Sequence, residues 1–230
     1  MKKTQDYYAY WRGWLLVLVG ILLPLSALAD EVTVADSNGN ELRYTYDSAD
    51  GPATFIGIKT YSADADKAGR IIIADRVTDA NGVGHDVLYI GGSLNYRSNI
   101  VSVVFGKNII ATGGADGESS YAFESCRKLE SVTLNTKLEL LGSYTFQGCN
   151  KLVTINLSEV TSLKTIKKGC FYNADALKSI TLPASVETLE ESAVRNMDSL
   201  HTVTIPHGCQ LQAVGKYAFA NNPKLSSINL

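Results

Sequence analysis

Histidine is the scarcest of the chemically versatile residues, with three in 230: His85, His201 and His207. None sits at metal-ligand spacing, so no metal site is expected, and His201 and His207 read as solvated surface. The G-x-S-x-G elbow, the H-E-x-x-H pair and a Cys–His nucleophile pattern are all missing, which leaves no catalytic residue to nominate. Gly113, Gly114 and Gly117 cluster without a GxGxxG order or a following Lys-Ser/Thr. No phosphate cradle and no cofactor follow from them. Charge is also low and balanced, with 21 Lys+Arg against 23 Asp+Glu and a net charge of −2. Without a basic cluster there is no case for nucleic acid as a partner.

A long apolar run is lacking too. Trp14–Leu28 (WLLVLVGILLPLSAL) is the most hydrophobic stretch. It falls short of the roughly 20 residues of a spanning helix and Pro24 interrupts it. Lys2, Lys3 and Arg12 precede it, and Ala27-Leu28-Ala29 obeys the small-x-small rule. Residues 1–29 therefore read as a secretory signal cleaved after Ala29, giving a secreted or cell-surface protein with no membrane span in the mature chain.

What is present is a repeat. Leu129–Leu134, Leu152–Leu157, Leu177–Leu182, Leu200–Ile205 and Leu225–Leu230 align, and their first leucines are 23, 25, 23 and 25 residues apart. Phe123, Phe146, Phe171, Val194 and Phe219 keep the same beat of 23, 25, 23 and 25. A fixed period in the twenties marks a solenoid in which no repeat buries its apolar face alone. From residue 154 onward, Thr154-Ile155-Asn156-Leu157 alternates polar and apolar residues as a half-buried strand does. One parallel strand per repeat follows, with a polar face made of Ser131, Thr133, Thr154, Asn156, Ser179, Thr181, Thr202, Thr204, Ser227 and Asn229. The first eight form the candidate binding surface. Pro183 and Pro206 end strands, and Gly142, Gly169 and Gly215 precede the landmarks as bends.

Residues 30–98 read as a β-rich N-terminal cap and residues 99–230 as the solenoid, with Ile100–Phe105 as a degenerate first strand. Val32–Val34 and Leu42–Tyr46 flank Asn38-Gly39, a hairpin signal. Arg70–Val77 and Asp86–Gly91 form a second candidate pair across Ala80-Asn81-Gly82. Asp36, Asn38 and Asn40 have calcium-loop spacing, but Glu41 stands where such a loop needs glycine, so a turn is expected.

The pattern L-x-S-I-T-L-P-x-S-V-x-x-L of Leu177–Leu189, with F-x-G-C-x-x-L at Phe146–Leu152, resembles the BspA-like leucine-rich repeats of bacterial surface proteins. The resemblance covers about residues 100–230. Val194 departs from it at the phenylalanine position, and Ala174, Met197 and Asn222 depart at the cysteine position. It implies a β-rich leucine-rich repeat solenoid, and adhesion to or binding of extracellular proteins or glycans. Cys126 and Cys149 share a position in adjacent coils about 4.8 Å apart, inside the disulfide window, though stacked side chains point in parallel. The resemblance implies that such cysteines are small core residues. Cys170 reads as a buried filler, and Cys209 as the one thiol open to reaction. A second role is assembly, by self-association through Leu225–Leu230.

Overall fold

The computed structural model describes residues 30–91, 94, 99–118 and 120–229. The expected export signal and Leu230 lie outside the described residues. The chain begins with β1 (Asp30–Ala35) and β2 (Glu41–Tyr46), an antiparallel hairpin in register from Asp30↔Tyr46 to Ala35↔Glu41. Its turn is held by Asp36, whose Oδ1 accepts the amides of Asn38 and Asn40, both at 2.9 Å. Asp36 Oδ2 accepts the Ile72 amide at 3.0 Å, so the carboxylate anchors the turn to the strand behind it. The residues with calcium-loop spacing thus build a turn network. β3 (Ala53–Thr60) adds antiparallel to β2.

The second expected hairpin divides. β4 (Arg70–Ile72) leaves to pair in parallel with β7 (Ser102–Val104). Only β5 (Arg76–Thr78) pairs antiparallel with β6 (Gly84–Ile90). The reason is the alternation itself: Ile71 and Ile73 are buried, so this strand serves the core of the array. In this ladder parallel stacking therefore starts upstream of Ile100, one strand earlier than the repeat pattern suggests, and on the other side β3 already pairs in parallel with β6.

From there each coil contributes to three ladders. The first carries the expected strands, β4-β7-β9-β11 and then β13-β15-β17, with β9 at Ser131–Thr133, β11 at Thr154–Ile155, β13 at Ser179–Thr181, β15 at Thr202–Thr204 and β17 at Ser227–Asn229. Val103, Val132, Ile180 and Val203 point inward and are buried.

The second ladder was not foreseen. It runs from β6 through β8 (Ala111–Thr112), β10 (Leu140–Leu141), β12 (Thr165–Ile166), β14 (Thr188–Leu189) and β16 (Ala213–Val214), all parallel. Its buried residues are Leu138 and Leu141, Leu163 and Ile166, Val186 and Leu189.

The third ladder is made of turns around the phenylalanine landmarks. Tyr121, Phe123 and Ser125 donate their amides to Ser143, Thr145 and Gln147 of the next coil, and the pattern repeats through Ser192, Val194 and Asn196. These twelve bonds span 2.7 to 3.2 Å, and every one runs from a coil to the coil after it. Holding that direction requires a left-handed backbone two residues before and two residues after each landmark. The first column is Tyr121 (φ 37), Tyr144 (58), Gly169 (60), Ser192 (57) and Tyr217 (60). The second is Ser125 (54), Gly148 (67), Asn173 (59), Asn196 (61) and Asn221 (57). Every non-glycine residue of positive φ among the described residues falls in one of these columns. A bulky residue there costs about 1–2 kcal/mol, offset by the ladder and the core it encloses.

The core runs the length of the stack. Phe123, Phe146 and Phe171 stack at 5.6 Å between successive centroids, and each is fully buried. The three glycines expected to bend the chain divide by role. Gly169 takes the left-handed column. Gly142 and Gly215 are sites of close approach, where an added Cβ would lie 2.3 Å from Thr112 O and 2.4 Å from the Glu191 amide nitrogen.

Candidate functional site

The strand face follows from the parallel register. Ser102, Ser131 and Thr154 are Cα partners in succession, and so are Ser179, Thr202 and Ser227. Beside them Thr133 follows Val104, while Thr181, Thr204 and Asn229 form the matching column. Thr133, Thr154 and Ser179 are exposed; Ser131, Thr181, Thr202 and Thr204 are half-buried. Within the columns the Ser227 hydroxyl donates to Thr202 Oγ1 at 3.4 Å.

Asn156 differs from its neighbours. Its Oδ1 accepts the Leu134 amide at 2.7 Å and its Nδ2 donates to Leu134 O at 3.1 Å and to Glu159 Oε2 at 3.1 Å. The side-chain amide thus takes the place of a strand backbone, and the main chain leaves into a 3₁₀ turn at Leu157–Glu159. Asn156, expected as part of the candidate binding face, thus has its side-chain amide bonded to Leu134 and Glu159. The consequence is a break: no ladder joins β11 to β13, and the face consists of two panels. Ile155, Leu157, Ser158, Ser179, Ile180 and Thr181 line a notch of about 100 Å³ at the join.

The thiols offer little chemistry. Cys126, Cys149 and Cys170 are buried and form no disulfide among the described residues. Burial pushes Cys149 and Cys170 well above the ordinary thiol range, so they stay protonated at neutral pH. Cys149 Sγ donates to Phe123 O at 3.1 Å. Cys209 is half-buried rather than open, and its Sγ lies 3.5 Å from Pro183 O and 3.7 Å from Val186 O. It occupies the place of Ser185, whose hydroxyl donates to Leu163 O at 2.8 Å one coil earlier.

His85 is buried, which its sequence context did not signal. Its Nδ1 is 2.8 Å from Gly51 O, its ring stacks on Tyr46 at 4.0 Å, and Nε2 lies 3.6 Å from Asp79 Oδ2. Burial pushes the Asp79 carboxyl up. Amide donation from Val83 (2.8 Å) and Asn81 (2.9 Å), with the His85 ring, outweighs that and leaves it below the usual carboxylate range. Tyr44 is buried with its hydroxyl accepting the Ala74 amide at 3.1 Å, and burial pushes it up to about 12. These groups pack the N-terminal region together. Among the described residues no group of three or more His, Cys, Asp or Glu could hold a metal ion.

Three interlocked parallel ladders of 23- and 25-residue coils define a leucine-rich repeat solenoid. Residues 119–230 match the BspA type leucine rich repeat region in 6 copies, and this part of the chain is a BspA-type array. A leucine rich cell surface protein from Faecalibacterium prausnitzii superposes with a TM-score of 0.60 at 21% identity, over 86% of this chain and 54% of that one. The chain thus spans about half the length of that protein. The leucine rich repeat protein of T. pallidum gives 0.53 at 19% identity, over 80% of this chain and 78% of that one. Similarity at this level shows the fold. No curated relative matches the chain. No helix among the described residues is long and apolar enough to cross a membrane.

Proposed function

We propose that the protein is an exported, non-enzymatic binding module at the cell surface, with residues 30–98 capping the array. Its partner is an extracellular protein or glycan, held on the strand face by Ser131, Thr133, Thr154, Ser179, Thr181, Thr202 and Thr204. Asn156 shapes that face by dividing it. The observation that carries the reading is the register of the hydroxyl columns. Within each panel parallel stacking spaces small hydroxyl donors and acceptors at coil intervals, which suits an extended partner. The buried thiols, with their raised pKa values, and the dispersed histidines supply no nucleophile–base pair, which favours binding over catalysis.

The test is a binding screen against extracellular-matrix proteins and glycans, run beside a variant with glutamate at Thr154, Thr181 and Thr204. Saturable binding that disappears in the variant, with circular dichroism unchanged, is the expected result. Binding retained by the variant removes the strand face from the account.

A further inference from the structure

The left-handed column after the landmarks borders a groove on the turn side of the array. Its lining is Ser125, Arg127, Gln147, Gly148, Asn150, Lys151 and Asn173, drawn from three successive coils, and it encloses about 480 Å³. No lining residue has an apolar side chain, and two carry positive charge without a carboxylate among them. Arg127 and Lys151 are exposed and form no ion pair among the described residues, whereas Lys164, Lys167 and Lys168 on the second ladder all do. The acids that touch the lining are already engaged. Gln147 Nε2 donates to Glu124 Oε1 at 3.3 Å, and Asn150 Nδ2 donates to Asp175 Oδ2 at 2.5 Å.

We propose that this groove binds an anionic saccharide, a sugar bearing a sulfate or carboxylate group. The guanidinium of Arg127 presents a planar fork suited to either anion, and Lys151 adds a point charge beside it. Ser125, Gln147, Asn150 and Asn173 offer hydroxyl and amide groups for the ring hydroxyls. A peptide partner fits less well. The groove has no apolar recess for side chains, and its backbone amides at Ser125, Gly148 and Asn173 are already donated to the next coil at 2.7, 2.8 and 3.2 Å. The left-handed backbone accounts for Gly148 and Asn173, but it demands nothing of Arg127, Gln147, Asn150 or Lys151. A second hollow, lined by Asn196, Asp198, Asn221, Asn222 and Pro223, continues the same edge two coils on. Asn196 Nδ2 bridges the two by donating to Asn173 Oδ1 at 2.5 Å. A saccharide of several units has a polar track to follow there.

The experiment titrates the full chain at about 0.15 M salt with sulfated oligosaccharides, oligogalacturonate, a neutral oligosaccharide, inorganic sulfate and an acidic peptide. Saturable binding of a charged saccharide is expected, weakened about tenfold or more in R127Q/K151Q and unchanged in K107Q/K178Q. The N150D variant, which adds a carboxylate beside the cations, should weaken it as well. Whether sulfated or carboxylated sugars bind better identifies the source of the anion. Equal loss in both double variants would mean diffuse attraction and overturn the proposal. Equal competition by inorganic sulfate, equal binding of the neutral sugar, or binding of the peptide alone would overturn it too. The glutamate variant of the strand face should leave this binding intact, which separates the two sites.

Discussion

The strand side and the turn side of a coil both pair with the coil after it, yet they constrain the sequence differently. On the strand side the backbone is extended, and bonds run in both directions: Phe105 donates forward to Thr133 O, while Glu130 donates back to Val101 O. Any residue can adopt that backbone, so side-chain choice is set by facing in or out. On the turn side the backbone dictates. Two positions per coil are left-handed, and they hold Tyr, Ser, Asn and Gly in no chemical order. A surface whose residues are free to vary can be adapted to a partner; one fixed by conformation mainly fixes the coil.

The comparison can be broken at several strengths. The largest effect belongs to the landmarks that hang from the turn side. Phe171→Ala should cost about 3–5 kcal/mol in urea unfolding, against about 0.5–1.5 for Ile180→Val on the strand side. Equal losses would erase the distinction. Next comes close approach: Gly142→Ala places a methyl against the backbone oxygens of Thr112 and Gly117, 2.3 and 2.7 Å away. It should cost about 1–3 kcal/mol by the same measurement. A finer test lies in the left-handed column. Gly148→Ala should lose about 1 kcal/mol, and Gly148→Asn should lose clearly less, because asparagine holds that column at 173, 196 and 221. If both variants lose equally, conformation does not rule the column. The smallest effect is expected on the strand face, where Thr154→Ser and Thr204→Ser should each shift stability by less than about 0.5 kcal/mol.

The same contrast explains what could be read in the sequence. The first ladder was legible because burial alternates there and leaves a period-two pattern, as in Thr202-Val203-Thr204. The phenylalanine column was legible because one large side chain recurs. The second ladder keeps the same beat, with Leu138, Leu163, Val186 and Leu211 at intervals of 25, 23 and 25. Beyond β6 its strands are only two residues long, too short to show alternation. The left-handed columns were invisible for another reason. What the coils share there is a backbone angle, which Tyr144, Gly169 and Ser192 all satisfy without resembling one another. Asn156 looked like any polar strand residue, and only its partner Leu134, 22 positions away, reveals that it replaces a rung. The groove of Arg127, Asn150 and Asn173 gathers residues from three coils, so no local motif could announce it.

The one-way bonding of the turn side also has an electrical consequence. Each amide that donates to the following coil points its positive end along the stack, and each accepting carbonyl points its negative end back. The strand side, whose bonds run both ways, largely cancels. The twelve bonds of the turn side add head to tail instead, in the manner of peptide units in a helix. The second ladder opposes them: the amides of Glu139, Lys164, Glu187 and Gln212 donate back to Ile110, Glu139, Lys164 and Glu187 of the preceding coil, so the turn edge and the second-ladder edge of the solenoid carry dipoles of opposite sense.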